Sequence, residues 1–142
     1  MNLIYGLVEE TYKCMWGVDL PDDGPIFEGK HMDLITGQND WAAFQVLLRA
    51  DEDFTVSVSQ NPIFTPVGSL PNVRLKAHLD GLPDENISMQ LIDYVEDDDR
   101  VYKADILLNN ESKLVKGHIT QPVWIEVKVP DDMEPGKYMG RV

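Results

Sequence analysis

Apolar and polar residues alternate in three short blocks of the chain, at 54–58, 73–79 and 123–129. Successive side chains of a β-strand point to opposite faces of a sheet, so this period of two predicts strands with one face in a core and one in water. The block "WAAFQVLLR" at 41–49 is apolar on both faces. It predicts a central strand covered on both sides, in which Gln45 needs a hydrogen-bond partner. A helix is the alternative for this block, because Ala, Leu and Gln are good helix formers.

Weaker strand candidates and turn signals complete the pattern. The weaker candidates lie at 10–18, 31–36, 88–95 and 101–107. Segments rich in Asp, Asn, Gly and Pro, which favour turns, lie at 20–25, 49–54, 61–72, 80–86, 95–100 and 108–112. Strands at this spacing, without a convincing helix, predict an all-β fold: an antiparallel β-sandwich of about eight strands, immunoglobulin/fibronectin-like or jelly-roll-like. We expect residues 1–142 to form a single β-sandwich domain.

The closing segment, "PVWIEVKVPDDMEPGKYMGRV" at 122–142, predicts a β-hairpin. Pro130 cannot donate a backbone hydrogen bond and is expected to end the first strand. Pro135 and Gly136 suit the two central positions of a type II turn, of which the second requires a positive φ. The second strand is expected from about 137 to 142. We therefore expect a domain boundary close to the last residue, and the chain to be the N-terminal part of a longer polypeptide.

The charge of the chain restricts the partners that it is expected to bind. Twelve lysines and arginines stand against 25 aspartates and glutamates, which gives a formal net charge of -13. Such a charge repels nucleic acid and anionic membranes, whereas neutral glycans and other proteins remain possible partners. The N-terminus has no signal peptide, and no apolar run approaches the ~20 residues of a membrane span. The chain is therefore expected to be cytoplasmic or a trimmed piece of a secreted protein.

The sequence contains no motif that predicts catalysis, a cofactor or a metal. Its histidines, His31, His78 and His118, lie too far apart to form a short zinc-binding segment. Neither a phosphate-binding loop, a hydrolase nucleophile elbow nor a dinucleotide-binding glycine pattern occurs. Cys14, the single cysteine, is interpreted as a small buried side chain rather than as a reactive thiol. We expect the chain to be no enzyme, although a parent polypeptide could be one.

The three tryptophans are the remaining candidates for binding, because flat aromatic rings stack on sugar rings. Trp124 lies on the otherwise polar face of its strand with Glu126 and Lys128, and these three residues form the predicted carbohydrate-binding site. The favoured alternative is that Trp124 packs beneath a loop or against a neighbouring domain. Trp16 and Trp41 are interpreted as core residues.

Two stretches resemble one family. "DLITGQNDWAAFQVLLRADEDFTVSVS" at 33–59, and "ADILL" followed by "QPVWIEVKVPDDMEPGKYMGRV" at 121–142, resemble the N-terminal sandwich domain of glycoside hydrolase family 123 and related uncharacterised bacterial barrel hydrolases. The closing stretch carries the more specific motif, a "Q-x-x-W-x-x-V-x-V-P" strand before "P-G-x-Y-x-G". With the spacing between them, the resemblance covers residues from about 31 to 142.

The resemblance implies a role beside an enzyme. In the family, this sandwich precedes a (β/α) barrel that carries the catalytic acidic residues for cleaving N-acetylhexosamine glycosides. This chain is shorter than the ~250 residues that a barrel needs, so no catalytic residue is carried over to it. The implied function is that of a non-catalytic accessory domain, which supports or flanks a downstream catalytic barrel. A stand-alone carbohydrate-binding module and an immunoglobulin-like protein-interaction domain are the alternatives.

Overall fold

The computed structural model describes residues 1–14, 31–58, 70–96, 98–100 and 102–142. Within these residues it contains ten strands and one 3-10 helix, at Asp84–Asn86. The strands are β1 Leu3–Glu9, β2 Asp40–Ala50, β3 Phe54–Ser57, β4 Asn72–Arg74, β5 His78–Leu79, β6 Ile87–Glu96, β7 Tyr102–Leu107, β8 Ser112–Val115, β9 Gln121–Val129 and β10 Gly140–Arg141.

The described strands form three sheets. A five-stranded antiparallel sheet has the order β1-β2-β9-β6-β7, and a three-stranded sheet has the order β4-β3-β8. Strand β5 pairs with β10 in a small two-stranded sheet. The predicted all-β sandwich is confirmed, with one departure from antiparallel pairing, because β3 and β4 run parallel.

The main core lies between the five-stranded and the three-stranded sheets. The five-stranded sheet contributes Val46, Leu48, Leu91, Val123 and Ile125 from its inner face, and the opposing layer contributes Phe54, Val56 and Val115. All of these side chains are buried, and removing such surface from water stabilises the fold by ~25 cal/mol per Å². The alternation in the sequence identifies these inner-face residues because the side chains of one face recur at every second position.

Strand β2 occupies the second position of the large sheet, between β1 and β9. The predicted central strand is therefore confirmed and the helical alternative is wrong. Burial on both faces is complete from Gln45 to Ala50, whereas the first residues of the strand are partly or fully exposed. The chain thus enters β2 at an open end of the sheet and leaves it in the core.

Two predicted strands have different environments from those expected. Strand β3 is buried at all four positions, including Thr55 and Ser57, whose side chains the alternation assigns to water. The Thr55 hydroxyl donates to the Asn72 carboxamide oxygen at 3.0 Å, which satisfies it inside the protein. The block 73–79 is divided into β4 and β5, with residues 75–77 outside any strand.

The weaker predictions have mixed outcomes. Those at 88–95 and 101–107 correspond to β6 and β7. Residues 10–14 and 31–36 form no strand, and residues 15–18 lie outside the described part. The described part also excludes Trp16, the predicted turn at 20–25 and most of the segment 61–72. Strands β1 and β8 were not predicted, because neither segment alternates strongly enough to be distinguished from its flanks.

The predicted closing hairpin is wrong. Strand β10 pairs with β5, with Gly140 opposite Leu79, and does not pair with β9. Gly136 does not have the positive φ that a type II turn requires. The connection instead crosses between sheets, since Met133 packs against the main core and the Tyr138 ring lies against Gly81.

Candidate functional site

The outer face of the five-stranded sheet carries the predicted site residues. In the pairing of β2 with β9, Gln45 lies opposite Trp124, Ala43 opposite Glu126 and Trp41 opposite Lys128. Residues directly opposite each other in an antiparallel pair lie on the same face of the sheet. Trp124, Glu126 and Lys128 therefore share one face, and the structure adds Trp41 to it.

Trp124 is half-buried and packs against a second, smaller apolar group, which we call the outer cluster. Its buried members are Cys14, Leu47, Ile92 and Ala104. A segment formed by residues 10–14, the cover segment, lies over this part of the sheet, and the amide of Ala104 donates to the Cys14 carbonyl at 2.9 Å. Trp124 thus packs against an apolar group to which the cover segment contributes Cys14.

Trp124 also lines a small cavity of about 190 Å³, the outer cavity. Its described lining is formed by Glu10, Tyr12, Lys13, Gln45, Ile92, Ala104, Asp105, Leu107 and Trp124. Aromatic, aliphatic, carboxylate and ammonium groups thus meet in one concave place. Most small-molecule sites combine these types of group, with an apolar wall and a few polar atoms that orient the ligand.

Gln45 holds the cover segment in place. Its side chain is 3% exposed, and its amide nitrogen donates to the carbonyl oxygens of Tyr12 at 2.7 Å, Glu10 at 3.0 Å and Glu9 at 3.4 Å. The prediction that Gln45 needs a hydrogen-bond partner is therefore confirmed. The bonds to Glu10 and Tyr12 satisfy carbonyl groups that lie outside the strands, whereas the Glu9 carbonyl also accepts from the Tyr12 amide at 3.1 Å.

The rim of the outer cavity is charged. The Lys13 ammonium donates to the Asp105 carboxylate, and both side chains are more than half exposed. Glu10 adds a second carboxylate on the cover segment. The rim therefore offers ammonium donors and carboxylate acceptors next to the apolar surface of Trp124.

Trp41 is exposed rather than buried, so its assignment to the core is wrong. The ring is 54% exposed, and the Lys128 ammonium lies 4.5 Å from its centroid. Such a cation–π contact at an exposed site contributes about 0.5–1 kcal/mol. The block of apolar residues around Trp41 obscures the fact that β2 begins beyond the covered part of the sheet. Its position two residues after the turn at Gln38 and Asn39 is the sequence signal that could have indicated exposure.

Glu126 and Lys128 lie outside the outer cavity. Glu126 is half-buried between Ala43 and Ser88 on the neighbouring strands, and Lys128 is engaged with Trp41. The structure therefore divides the predicted set, with Trp124 at the cavity and the two charged residues nearer the open end of the sheet. The residues that sequence reasoning missed are Glu10, Lys13 and Asp105, because their proximity arises from pairing distant segments.

Burial raises the pKa of two groups in or against the outer cluster. The Cys14 side chain is 1% exposed, and burial raises the pKa of its thiol to about 12. Burial likewise raises the pKa of Tyr94, whose hydroxyl donates to the Thr120 carbonyl. The interpretation of Cys14 as a buried side chain is confirmed, and its thiolate is scarce at neutral pH.

The histidines are placed apart by the fold. His78 lies between two carboxylates, with its Nδ1 3.0 Å from Asp84 and its Nε2 3.1 Å from Asp80. The Asp84 hydrogen bond is the main cause of the raised pKa of His78. Across the described ranges, no group of three or more His, Cys, Asp or Glu side chains is arranged to hold a metal ion. Nor does any described helix have the length and apolarity to cross a membrane.

The fold and the outer face together define a class of protein: an all-β sandwich domain with an aromatic cavity on one sheet. Residues 73–142 match the family model of the glycoside hydrolase 123 N-terminal domain. The match bears out the resemblance of the closing stretch to this domain, whereas the stretch at 33–59 lies outside the matched residues. The matched residues include Asp105, Trp124, Glu126 and Lys128, whereas the cover segment and Gln45 precede them. No curated protein matches the chain.

Proposed function

We propose that the chain is a non-catalytic accessory domain of a glycoside-hydrolase-like protein and that it supports or flanks a downstream catalytic barrel. The match of residues 73–142 to a glycoside hydrolase N-terminal domain carries this proposal. Its mechanism is positional, because a sheet that is packed on its inner face provides a rigid surface on which a second domain can rest.

The edge of the large sheet supports a packed neighbour. Strand β7 is at that edge, and it exposes the large apolar side chains of Tyr102, Ile106 and Leu107. Exposed apolar side chains on an edge strand promote association with other chains, and a neighbouring domain that covers them removes this liability.

The accessory role is tested on the parent polypeptide. The reading frame after Val142 is expected to encode a (β/α) barrel, and a parent protein that lacks residues 1–142 is expected to unfold at a lower temperature than the intact protein. The isolated 142-residue chain is expected to release no product from chromogenic N-acetylhexosamine glycosides that the parent cleaves. A frame without a barrel, or turnover by the isolated chain, would refute the proposal.

Carbohydrate binding by the domain itself is the second candidate function. The observation that favours it is the position of Trp124, whose ring borders a cavity that also contains carboxylate and ammonium groups. Calorimetric titration of the intact chain with glycans tests this function independently of any barrel.

A further inference from the structure

We propose that the outer cavity binds a single neutral pyranose ring, with Trp124 as the stacking surface and Glu10, Lys13 and Asp105 as the hydroxyl-binding groups. The inference deepens the carbohydrate-binding function proposed above, because it specifies the site and the ligand class. It does not depend on the accessory role beside a barrel.

The first step of the argument is the fixed position of the indole. Trp124 stands between β2 and β6 in the large sheet, opposite Gln45 and Gln90, and packs against the outer cluster. A ring that is already held by packing loses little conformational freedom when a ligand binds. The apolar face of a pyranose can therefore stack on it at low entropic cost.

The second step is the arrangement of the polar groups. The Lys13 ammonium has three donors, and the carboxylates of Glu10 and Asp105 are acceptors, all on the lining of the same cavity. Neighbouring hydroxyls of a sugar both donate and accept, so a mixed rim of this kind can bind two adjacent hydroxyls. Hydrogen bonds to charged groups are shorter and stronger than those between neutral groups.

The third step concerns size. The volume of about 190 Å³ is smaller than the ~300–1,000 Å³ of sites that enclose drug-sized ligands. This volume suits one sugar ring rather than a long buried oligosaccharide. A longer glycan would extend from the cavity into solvent along the sheet.

Charge selects between neutral and acidic sugars. The rim carries two carboxylates and one ammonium, and the ammonium is already paired with Asp105. The whole chain has a formal net charge of -13, which adds a long-range repulsion of anions. A uronic acid is therefore expected to bind more weakly than the corresponding neutral sugar.

Two other places in the described part of the molecule fit the ligand less well. A larger groove of about 340 Å³ has a described lining of Leu7, Val8, Glu9, Thr11, Tyr12 and Met32, which contains no tryptophan. Trp41 is exposed, but the Lys128 ammonium lies over its ring. Trp41 therefore serves as a matched control for Trp124, because both tryptophans lie on the same face.

The test is isothermal titration calorimetry of the full 142-residue chain with glucose, galactose, N-acetylglucosamine, N-acetylgalactosamine, their β-linked dimers and glucuronic acid. We expect at least one neutral sugar to bind with a Kd of about 1 mM or lower. Trp124→Ala is expected to weaken binding at least about tenfold, which corresponds to ~1.4 kcal/mol. Trp41→Ala is expected to leave the Kd unchanged.

Because Trp124 also contacts the outer cluster, Trp124→Ala can disturb the fold. Glu10→Gln, Lys13→Ala and Asp105→Asn provide a second set of variants, since these side chains are exposed. Each is expected to raise the Kd about threefold or more without changing the unfolding temperature. The proposal is overturned if the intact chain binds no neutral sugar with a Kd of about 1 mM or lower, if the three rim variants bind as well as the original, or if Trp41→Ala causes the loss. None of these results affects the accessory role, which depends on the downstream barrel.

Discussion

Replacement of Gln45 by methionine tests how the cover segment is held over the outer face. Methionine has nearly the shape of glutamine but cannot donate a hydrogen bond to the carbonyls of Tyr12 and Glu10, at 2.7 and 3.0 Å. The third bond, to Glu9 at 3.4 Å, is long and contributes little. Two lost bonds at ~0.5–1.5 kcal/mol each give an expected destabilisation of about 2 kcal/mol.

The assay is equilibrium unfolding in urea, followed by tryptophan fluorescence. With an m-value of about 2 kcal/mol/M for a domain of this size, Gln45→Met is expected to lower the midpoint by about 1 M. Hydrogen exchange gives a local measurement, because the amide of Ala104 donates to the Cys14 carbonyl of the cover segment. Its protection is expected to fall more than that of amides in the main core.

Gln38→Met is the matched control for this experiment. The Gln38 amide donates a single bond, to the Met133 carbonyl at 2.6 Å, in an exposed position. Its replacement is expected to change the free energy of unfolding by about 0.5 kcal/mol or less. If Gln45→Met unfolds at the same urea concentration as the original chain, the bonds of Gln45 do not hold the cover segment and the reasoning is refuted.

Three further predictions concern other parts of the fold. Gly117→Ala is expected to lower the free energy of unfolding in urea by about 1–3 kcal/mol, because the new Cβ would lie 2.9 Å from the Cα of Glu52. Gly37→Ala is the control, since its Cβ would meet open space. Equal unfolding midpoints for the two variants would refute the close approach. The Cys14 thiol, with its pKa raised to about 12, is expected to react with a disulfide reagent at pH 8 only as fast as the protein opens. Because the pKa of His78 is raised above 6.5 by Asp84, its contribution to stability is complete below that pH and is lost as the pH rises through the raised value. Asp84→Asn is expected to remove most of this pH dependence of the free energy of unfolding, measured in urea at several pH values. An unchanged pH dependence would contradict the prediction.

The positions of most strands follow from the sequence. A strand exposes its side chains alternately, so the pattern around Val123 and Ile125 predicts both a strand and its buried face without reference to any other part of the chain. The need of Gln45 for a partner follows in the same way, because a polar group in a doubly apolar segment must be satisfied where it is buried. The family is likewise predicted from motifs within the chain and is confirmed over residues 73–142.

Pairing between distant segments decides the features of the fold that the local pattern does not predict. The segment after Pro130 has the residues of a hairpin, yet its last strand finds its partner in β5, because Met133 and Tyr138 pack against other parts of the molecule. Local turn propensity is worth only a small free energy, and burial of apolar side chains can exceed it. The sequence alone therefore could not predict the route of this segment between the sheets.

The two tryptophans of the outer face show most clearly which features are local and which depend on long-range packing. The local alternation is enough to place Trp124 on the face opposite the core residues of its strand, because side-chain direction is a local property of the backbone. Long-range packing, in contrast, places the cover segment beside Trp124 and leaves Trp41 in solvent. It also decided that Glu10, Lys13 and Asp105 meet around one indole, since their contact depends on how residues far apart in the chain are brought together.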